Sequence, residues 1–476
     1  MSTKKDLVEA HAFSRRRLVT AFVSGAPGGR EVEPSRPGRT IVGGVALGVL
    51  VLAGGAIAGI FSGRPPDGWL EPGIVIEKET GNSYVITEES DDPVLRPVVG
   101  NINARLIFGT EQEPSTVSAE DIAEQSIGDD IGILGAPAIL PSTEQLIDTG
   151  WVACTADGFG TRMAVSETPP AVAAPDAGLV VRTGGGADPE YWLIASASPP
   201  DDPDDQAFRY LMPDNEGDRE DILSDLDLPP ATEAPRVDDA WVNLWPEGPP
   251  LDDASFDVGS GVVPESADWF EGLPGPVRAG DLVVEGDQVY LVAEDAPARL
   301  SAFALVVYRA LNDGVEPTPV DGVSLQPEPA TPEEWPEDGP RAVEDGSTCA
   351  ILVTRDNQSP TVLVAEDPAD TLDPSIEDDE VDAGDAEVTV EPGRGALVVS
   401  AGFGQTEGPS PFVVDSKGVR YQIEGADALA NLGYGDADPR VVPDSWLLPF
   451  GCGVVLSRNA ALGQPGQDSQ SSCEGE

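Results

Sequence analysis

The segment RVVPDSWLLPFGCGVVLS, residues 440–457, has a counterpart roughly two hundred residues earlier, RVDDAWVNLWPEGPPLD, residues 236–252. Both begin with Arg-Val, continue with one or two aspartates and reach a tryptophan within seven positions. A chain that repeats itself in this way is usually built from several copies of one structural unit, and neighbouring copies cover each other's apolar faces. We therefore interpret both segments as the closing part of a repeated unit.

Four other stretches share a second pattern, in which a turn with glycine precedes a tyrosine and alternating apolar residues. They are ETGNSYVITEE (79–89), GGGADPEYWLIAS (184–196), VEGDQVYLVAE (284–294) and VDSKGVRYQIEG (414–425), with Tyr84, Tyr191, Tyr290 and Tyr421. Glycine allows positive φ and tyrosine suits a half-buried strand, so the pattern predicts β-hairpins. Closing segments follow three of them, DDIGILGAPAIL (129–140) and the two quoted first; the third hairpin lacks a clear one.

The predicted fold class is α+β, with about four quasi-symmetric β-rich repeats. Their predicted positions are near residues 70–148, 178–254, 278–325 and 388–464. Trp241 and Trp446 head two closing segments, and we interpret them as core anchors; a role as ligand platforms is the alternative. Acidic, proline-rich stretches at 198–206, 327–340 and 366–387 are predicted to be loops or linkers between the units.

The charge of the chain changes sharply along its length. Residues 1–40 carry eight basic and four acidic residues, whereas beyond Arg64 there are 18 basic and 81 acidic residues. Nucleic-acid binding by the acidic part is excluded, because phosphates would be repelled. We interpret the acidic surface mainly as a solvated one that keeps the protein soluble, and a specific cationic partner is the alternative.

The run IVGGVALGVLVLAGGAIAGIF, residues 41–61, contains no charge and no proline. At about 1.5 Å per residue it spans about 30 Å, so it predicts a single transmembrane helix. A cleaved signal peptide is the alternative, since AIA at 56–58 resembles a cleavage site. The basic flank predicts a cytoplasmic N-terminus (1–40) and an extracytoplasmic region, 62–476. Gly44, Gly48, Gly55 and Gly59 share one face of the helix, which predicts close helix packing.

Residues 3–24, TKKDLVEAHAFSRRRLVTAFVS, show helical spacing of Leu7, Ala10, Leu18, Ala21 and Phe22 with basic residues on much of the remaining surface. This pattern predicts an amphipathic helix that lies on the membrane surface or binds a partner. A simple topology signal is the alternative interpretation. The following residues, 25–39, are rich in glycine and proline and are predicted to form a linker.

Catalytic and metal-binding patterns are sparse in this sequence. His11 is the only histidine, so the region beyond the apolar run has no Ser-His-Asp, Cys-His or histidine–zinc site. No G-x-x-x-x-G-K-[ST] phosphate loop and no calcium loop of EF-hand spacing occur. The tripeptide DTG occurs once, from Asp148 to Gly150, whereas aspartic proteases need two carboxylates. We interpret it as a turn, and predict no catalytic residues, no metal and no cofactor.

The four cysteines Cys154, Cys349, Cys452 and Cys473 all follow the apolar run. An even number in an oxidising compartment predicts disulfides, and four cysteines allow three pairings.

The basic head TKKDLVEAHAFSRRRLVTAF with its glycine-rich span resembles the EccB family, inner-membrane core components of type VII (ESX) secretion systems of actinobacteria. VTVEPGRGALVVS (388–400), VDSKGVRYQI and LSRNAAL (456–462) are similar to the family as well. The resemblance implies an elongated extracytoplasmic domain with a central core and repeats. It also implies a disulfide between Cys154 and Cys349; a second bridge between Cys452 and Cys473 is a hypothesis outside the family pattern.

The predicted function is that of a scaffold subunit of the type VII secretion membrane complex in the plasma membrane. The resemblance implies assembly with EccC, EccD and EccE components, and a homodimer within a larger oligomer. Some family members are called ATPases, but this sequence has no phosphate loop, which favours a non-enzyme, and we expect the motor to be EccC. The alternative is a membrane-anchored cell-wall-binding or glycan-processing protein, since two carboxylates suffice for a glycosidase.

Overall fold

The computed structural model describes residues 65–473, apart from 156–158, 186–188, 198–204, 257, 259–268, 274, 294–296, 324–327, 330, 344–348, 367–380 and 467–469. By its internal contacts the chain divides into two parts, Met1–Pro66 and Asp67–Glu476. All elements and repeat units described below belong to the part Asp67–Glu476. The predicted basic head (1–40) and membrane helix (41–61) lie outside the described residues. None of the helices in the described part is both long enough and apolar enough to cross a membrane.

The first repeat-like unit is a five-stranded sheet with two helices. Its elements are β1 (Gly73–Glu77), β2 (Ser83–Ile86), β3 (Val94–Pro97), α1 (Gly100–Phe108), β4 (Ser115–Val117), α2 (Ala119–Ala123) and β5 (Ser126–Ile127). The order across the sheet is β4-β1-β2-β3-β5, with β1, β2 and β3 antiparallel and both outer strands parallel to their neighbours. Gly81 adopts φ +78° in the turn between β1 and β2, which glycine tolerates best.

Helix α1 covers one face of this sheet because its apolar residues recur at helical spacing. Ile102 and Leu106 are four residues apart and both are buried. Gly109 ends the helix with φ +85°, a conformation that favours glycine. A 3-10 helix, Thr143–Gln145, then leads out of the first unit. The next three strands, β6 (Trp151–Thr155), β7 (Thr161–Val165) and β8 (Val172–Ala173), belong to a separate central sheet.

The second unit has three long antiparallel strands and a helix. Its elements are β9 (Ala177–Thr183), β10 (Glu190–Ala197), β11 (Gln206–Leu211), α3 (Glu216–Asp225) and α4 (Asp239–Val242), with 3-10 helices at Ala231–Glu233 and Asp253–Phe256. Asn215 caps α3 by accepting hydrogen bonds from the backbone of the first turn. After α3 the chain returns to both edges of the three-stranded sheet. Arg236 forms a parallel backbone β-bridge with Arg182 on β9, and Glu247 forms one with Arg209 on β11.

The third unit repeats this arrangement. Its elements are β13 (Leu282–Glu285), β14 (Gln288–Val292), β15 (Pro297–Arg299), α5 (Ala302–Leu311), β16 (Thr318–Pro319) and β18 (Glu328–Pro329), while β12 (Phe270–Glu271) pairs with β17 (Gly322–Val323). The sheet order is β16-β13-β14-β15-β18. The sequence showed no clear closing segment here, but β16 returns in parallel to β13, and β18 lies just beyond the predicted end at residue 325.

Four strands then separate the third unit from the fourth: β19 (Arg341–Ala342), β20 (Cys349–Val353), β21 (Thr361–Glu366) and β22 (Ala386–Val390). The fourth unit contains β23 (Ala396–Ala401), β24 (Pro411–Val414), β25 (Val419–Glu424), α6 (Ala426–Asn431), β26 (Arg440–Pro443), α7 (Asp444–Leu447), β27 (Gly451–Cys452), β28 (Leu456–Ser457) and α8 (Arg458–Leu462). Its order is β26-β23-β24-β25-β27, and β28 also pairs with β25.

All four units therefore share one connectivity within the described residues. Three antiparallel strands lead into a helix, and the chain then returns to the first and third strands in parallel. The four predicted hairpins are present, but Tyr421 does not match the other three tyrosines. Tyr84, Tyr191 and Tyr290 lie on the second strand of their units, whereas Tyr421 lies on the third, because the fourth stretch forms the second hairpin of its unit.

The central sheet is assembled from distant parts of the chain, in the order β22-β7-β6-β20-β21-β8. Three cores then connect the sheets. Residues of the first and fourth units share one core, those of the second and third share another, and the central sheet shares the third with the second and fourth units. The predicted α+β class is confirmed. The structure shows why no unit is self-sufficient: each buries an apolar face against a neighbour.

Candidate functional site

The junction of the central sheet with two units is built around three buried tryptophans. Trp151 begins β6, while Trp241 and Trp446 lie in the two closing segments, and all three are fully buried. The ring of Trp151 lies 5.3 Å from that of Phe450. The Trp446 Nε1 group donates a hydrogen bond of 2.8 Å to the Leu244 carbonyl oxygen. The prediction that Trp241 and Trp446 are core anchors is confirmed.

A disulfide lies on the opposite face of the same central sheet. Cys154 on β6 and Cys349 on β20 stand directly opposite each other in the antiparallel ladder, with their Cα atoms 4.1 Å apart. Both are buried in a small apolar cluster with Val152 and Ile351. The bond closes a sequence separation of 195 residues. It therefore links the two middle strands of the sheet covalently. In the sequence, β6 precedes the second and third units and β20 follows them.

A second disulfide joins Cys452 to Cys473, whose Cα atoms are 5.8 Å apart. The last described residues run beside β27 and the segment after it, where Val454 and Ser471 form an antiparallel backbone β-bridge. The Ser472 hydroxyl donates to the carbonyl oxygens of Arg420 and Gly453. The bond thus holds residues 470–473 against the fourth unit.

The tripeptide DTG connects the central sheet to the fourth unit. Arg440, the first residue of β26, places Nη2 3.0 Å from Asp148 Oδ2 and pairs its other terminal nitrogen with Asp356. The Thr354 hydroxyl donates to the Asp148 carbonyl oxygen. Gly150 has φ +102°, and a Cβ there would lie 2.0 Å from the Ser166 carbonyl oxygen. Position 150 therefore needs glycine, and Asp148 serves in an ion pair.

Several predicted features lie elsewhere or outside the described residues. Gly44, Gly48, Gly55 and Gly59 belong to the part of the chain that is not described. Within the described ranges, no group of three or more His, Cys, Asp or Glu side chains is placed to hold a metal ion. Sequence reasoning missed Arg440 and its two aspartates, although the Arg-Val opening shared by the two closing segments was a signal that the arginine has a positional role.

The arrangement at this junction is mechanical in character. Aromatic packing fixes the central sheet relative to the second and fourth units, and an arginine between two carboxylates strengthens the contact of the fourth unit. The disulfide links two strands within the sheet itself. The family model described as "Type VII secretion system ESX-1, transport TM domain B" matches residues 1–467.

The chain belongs to the EccB family. It is similar to the ESX-1 secretion system ATPase EccB1 of Mycobacterium tuberculosis (strain ATCC 25618 / H37Rv), with 24% identity over 452 residues that cover 89% of this chain and 87% of that protein. The ESX-3 secretion system ATPase EccB3 of Mycolicibacterium smegmatis (strain ATCC 700084 / mc(2)155) is 28% identical over 481 residues, which cover 90% of this chain and 84% of the relative.

Chains of solved ESX complexes have the same fold. A chain of an intact ESX-5 inner membrane complex superposes with a TM-score of 0.59 and 21% identity, covering 98% of this chain and 95% of that one. A chain of the EccB3 dimer from the ESX-3 core complex gives a TM-score of 0.59 and 23% identity, covering 82% and 100%. The resemblance noted in the sequence is confirmed, and this EccB protein is a structural subunit of the type VII secretion membrane complex.

Proposed function

We propose that this EccB protein acts by holding other subunits in place, as a membrane-anchored scaffold whose extracytoplasmic region is stiffened by its central sheet. The observation that carries the proposal is the shared core around Trp151, Trp241 and Trp446. It joins two repeat units to a sheet in which a disulfide cross-links the two middle strands. A body packed in this way keeps its parts in fixed relative positions, because close-packed interiors deform little.

The membrane anchor in this proposal is the apolar run at residues 41–61. Residues 1–40 form a cytoplasmic head and linker, and residues 62–476 form an elongated extracytoplasmic region with four repeat units. Eight basic residues before the run and 81 acidic residues after it support this orientation. Gly44, Gly48, Gly55 and Gly59 provide a face on which a helix of another subunit packs closely.

The proposed partners are the EccC, EccD and EccE components and a second copy of this chain. The relatives support assembly, since one solved relative is an EccB3 dimer and another is a chain of an ESX-5 inner membrane complex. The amphipathic pattern at residues 3–24 supports docking of the head on the cytoplasmic parts of neighbours.

The curated relatives are named ATPases, and that name belongs to those proteins. The present sequence contains no G-x-x-x-x-G-K-[ST] phosphate loop. We assign the motor role to the EccC component. Purified full-length chain is expected to hydrolyse no ATP above the background of a mock preparation. Turnover that a point mutation in this chain abolishes would overturn the assignment.

Deletion of residues 1–24 tests the scaffold directly. Membranes are extracted with a mild detergent, and the complex is analysed by native electrophoresis and mass spectrometry. The intact chain is expected to copurify with three other membrane proteins, including a motor ATPase, and the deletion is expected to lose the large species. Peptide mapping without reductant controls for folding, since the Cys154–Cys349 bridge persists in a folded deletion variant.

Full assembly of the deletion variant would refute docking by the head. Recovery of the intact chain alone, with activity on peptidoglycan, would instead support the cell-wall alternative. These two outcomes are distinguishable, because the first leaves the partners in place and the second shows none.

A further inference from the structure

A cavity of about 280 Å³ lies where the first unit meets the end of the fourth. Strand β3 and helix α1 contribute from one side, and helix α8 contributes from the other. Its apolar lining consists of Ile107, Phe108, Ile131 and Leu462. Its charged lining consists of Glu88, Arg96 and Arg458. Small-molecule sites typically combine apolar side chains with a few polar groups, and both kinds of residue line this cavity.

Arg458 is held at the edge of the cavity by a hydrogen bond from its side chain to the backbone of α1. It is the first residue of α8, and its Nε donates a hydrogen bond of 3.2 Å to the Ile107 carbonyl oxygen across the seam between the units. Among the described residues, no carboxylate lies within ion-pair distance of its guanidinium. The two terminal nitrogens therefore have donors available for a ligand.

Arg96 reaches the same cavity from β3, and a glycine makes room for it. A Cβ at Gly128 would lie 2.8 Å from Val94 Cγ1 and 3.2 Å from Arg96 Cγ. Gly128 has an ordinary backbone conformation, so its missing side chain serves the close approach of these neighbours. Like Arg458, Arg96 forms no ion pair with any carboxylate in the described part of the chain.

Two arginines and a single carboxylate, Glu88, line this cavity, although the chain beyond Arg64 has 81 acidic residues for 18 basic ones. The charged lining carries a net charge of +1, because Glu88 offsets one arginine. A single negative charge on a ligand would balance the cavity, and guanidinium groups bind carboxylates with well-aligned hydrogen bonds.

We propose that this cavity binds a carboxylate attached to a short apolar group. The guanidinium groups of Arg96 and Arg458 hold the carboxylate, and the apolar side chains of α1 and α8 receive the alkyl part. A polypeptide chain end and a free short-chain carboxylic acid both have this chemistry. The ligand bridges the first and fourth units, so binding would also tighten the contact between them.

Calorimetric titration of the full-length chain in detergent tests the site with three probes. N-acetyl-leucine and 4-methylpentanoate carry the carboxylate and a short apolar group, whereas N-acetyl-leucinamide lacks the charge. Both acids are expected to bind and the amide to bind at least about tenfold more weakly, which is the scale of a charged hydrogen bond. Tighter binding of N-acetyl-leucine than of 4-methylpentanoate identifies a chain end; equal binding identifies the free acid.

Variants connect the binding to the cavity. Arg96→Gln and Arg458→Gln are each expected to weaken acid binding about tenfold or more, whereas Glu88→Gln strengthens it by removing a competing negative charge. Arg105→Gln on α1 is the control, because Arg105 does not line the cavity, and it leaves the affinity unchanged. Absence of binding to both acids, equal binding of the amide, tighter binding of inorganic phosphate, or affinities insensitive to both arginine variants would each overturn the proposal.

Discussion

Trp446 donates its indole hydrogen bond to the backbone carbonyl of Leu244, so the closing segment of the fourth unit is bonded to the closing segment of the second. The two similar sequence segments therefore meet in space. Each carries a buried tryptophan into the core beneath the central sheet, where Trp241 also lies 5.7 Å from Trp245. The repeated phrase thus specifies a contact between units as well as the end of each unit.

Replacing Trp446 with phenylalanine tests this contact. The substitution leaves the buried Leu244 carbonyl without its donor and leaves a small void, so we expect a loss of about 3 kcal/mol in unfolding free energy. Trp241→Phe is the matched comparison, because its Nε1 is 3.4 Å from the Ala153 carbonyl oxygen and so makes a weaker bond. Denaturant titration followed by circular dichroism should show the smaller loss for Trp241→Phe; equal losses would contradict the assigned role of the bond.

The β-hairpins were predictable from the sequence because their signals are local. Glycine turns, tyrosines and alternating apolar residues occur within about ten residues of each other, and all four stretches form hairpins. The misplacement of Tyr421 shows the limit of this reasoning. A hairpin pattern reports two paired strands, but it does not say whether they are the first and second or the second and third of a unit.

Contacts between distant residues could not be predicted in the same way. The central sheet places β22 beside β7 and β20 beside β6, and nothing in either strand alone indicates its partner. The ion pair of Arg440 with Asp148 and the cavity between the first and fourth units depend equally on tertiary structure. The pairing of Cys154 with Cys349 was implied by family resemblance, since four cysteines allow three pairings.

The two disulfides are expected to contribute unequally to stability. In the loop-entropy account, a bridge across 195 residues stabilises by about 5 kcal/mol and one across 21 residues by about 3 kcal/mol. The double variants Cys154→Ala/Cys349→Ala and Cys452→Ala/Cys473→Ala should therefore differ by about 2 kcal/mol in unfolding free energy. Denaturant titration without reductant provides the measurement.

Reductant is the control for this comparison. Adding it should lower the unfolding free energy of the unaltered chain and of each double variant, because it reduces the bridges that each still contains. Mass spectrometry of unreduced peptides should link Cys154 to Cys349 and Cys452 to Cys473. Free thiols at both central positions, or a larger loss for the shorter loop, would count against the arrangement described here.

Alkaline pH should weaken the contact between helix α5 and the sheet of the third unit, because Tyr308 ionises. Burial, followed by the nearby charges of Asp253 and Asp281, raises the pKa of this phenol to about 12. Its hydroxyl donates a 2.7 Å hydrogen bond to the Gly280 carbonyl oxygen. The unfolded chain releases this proton near pH 10 while the folded chain retains it, so the contribution of Tyr308 is complete below pH 10 and is lost between pH 10 and about 12.

Tyr308→Phe isolates this effect from the other tyrosines. The variant is less stable near neutral pH, because the hydrogen bond is gone, but its stability should fall less steeply with rising pH than that of the unaltered chain. Unfolding free energies measured from pH 9 to 11.5 would show the two curves converging. Parallel curves would mean that the phenol ionises at its ordinary pKa in the folded protein.

Arg440 should contribute more to stability than an ordinary surface arginine. Its side chain is 14% exposed and lies between Asp148 and Asp356, whereas Arg299 is 40% exposed in its pair with Glu337. The Arg440 guanidinium is shielded from water, whereas its aspartate partners are 62% and 64% exposed, so Arg440→Gln should cost about 1 kcal/mol and Arg299→Gln less than about 0.5 kcal/mol. Part of the first loss should persist in 1 M salt, because the shielded guanidinium is screened less than a fully exposed one. If salt abolished the difference between the two variants, the Arg440 pair would be acting as a surface contact and would not fix the fourth unit to the central sheet.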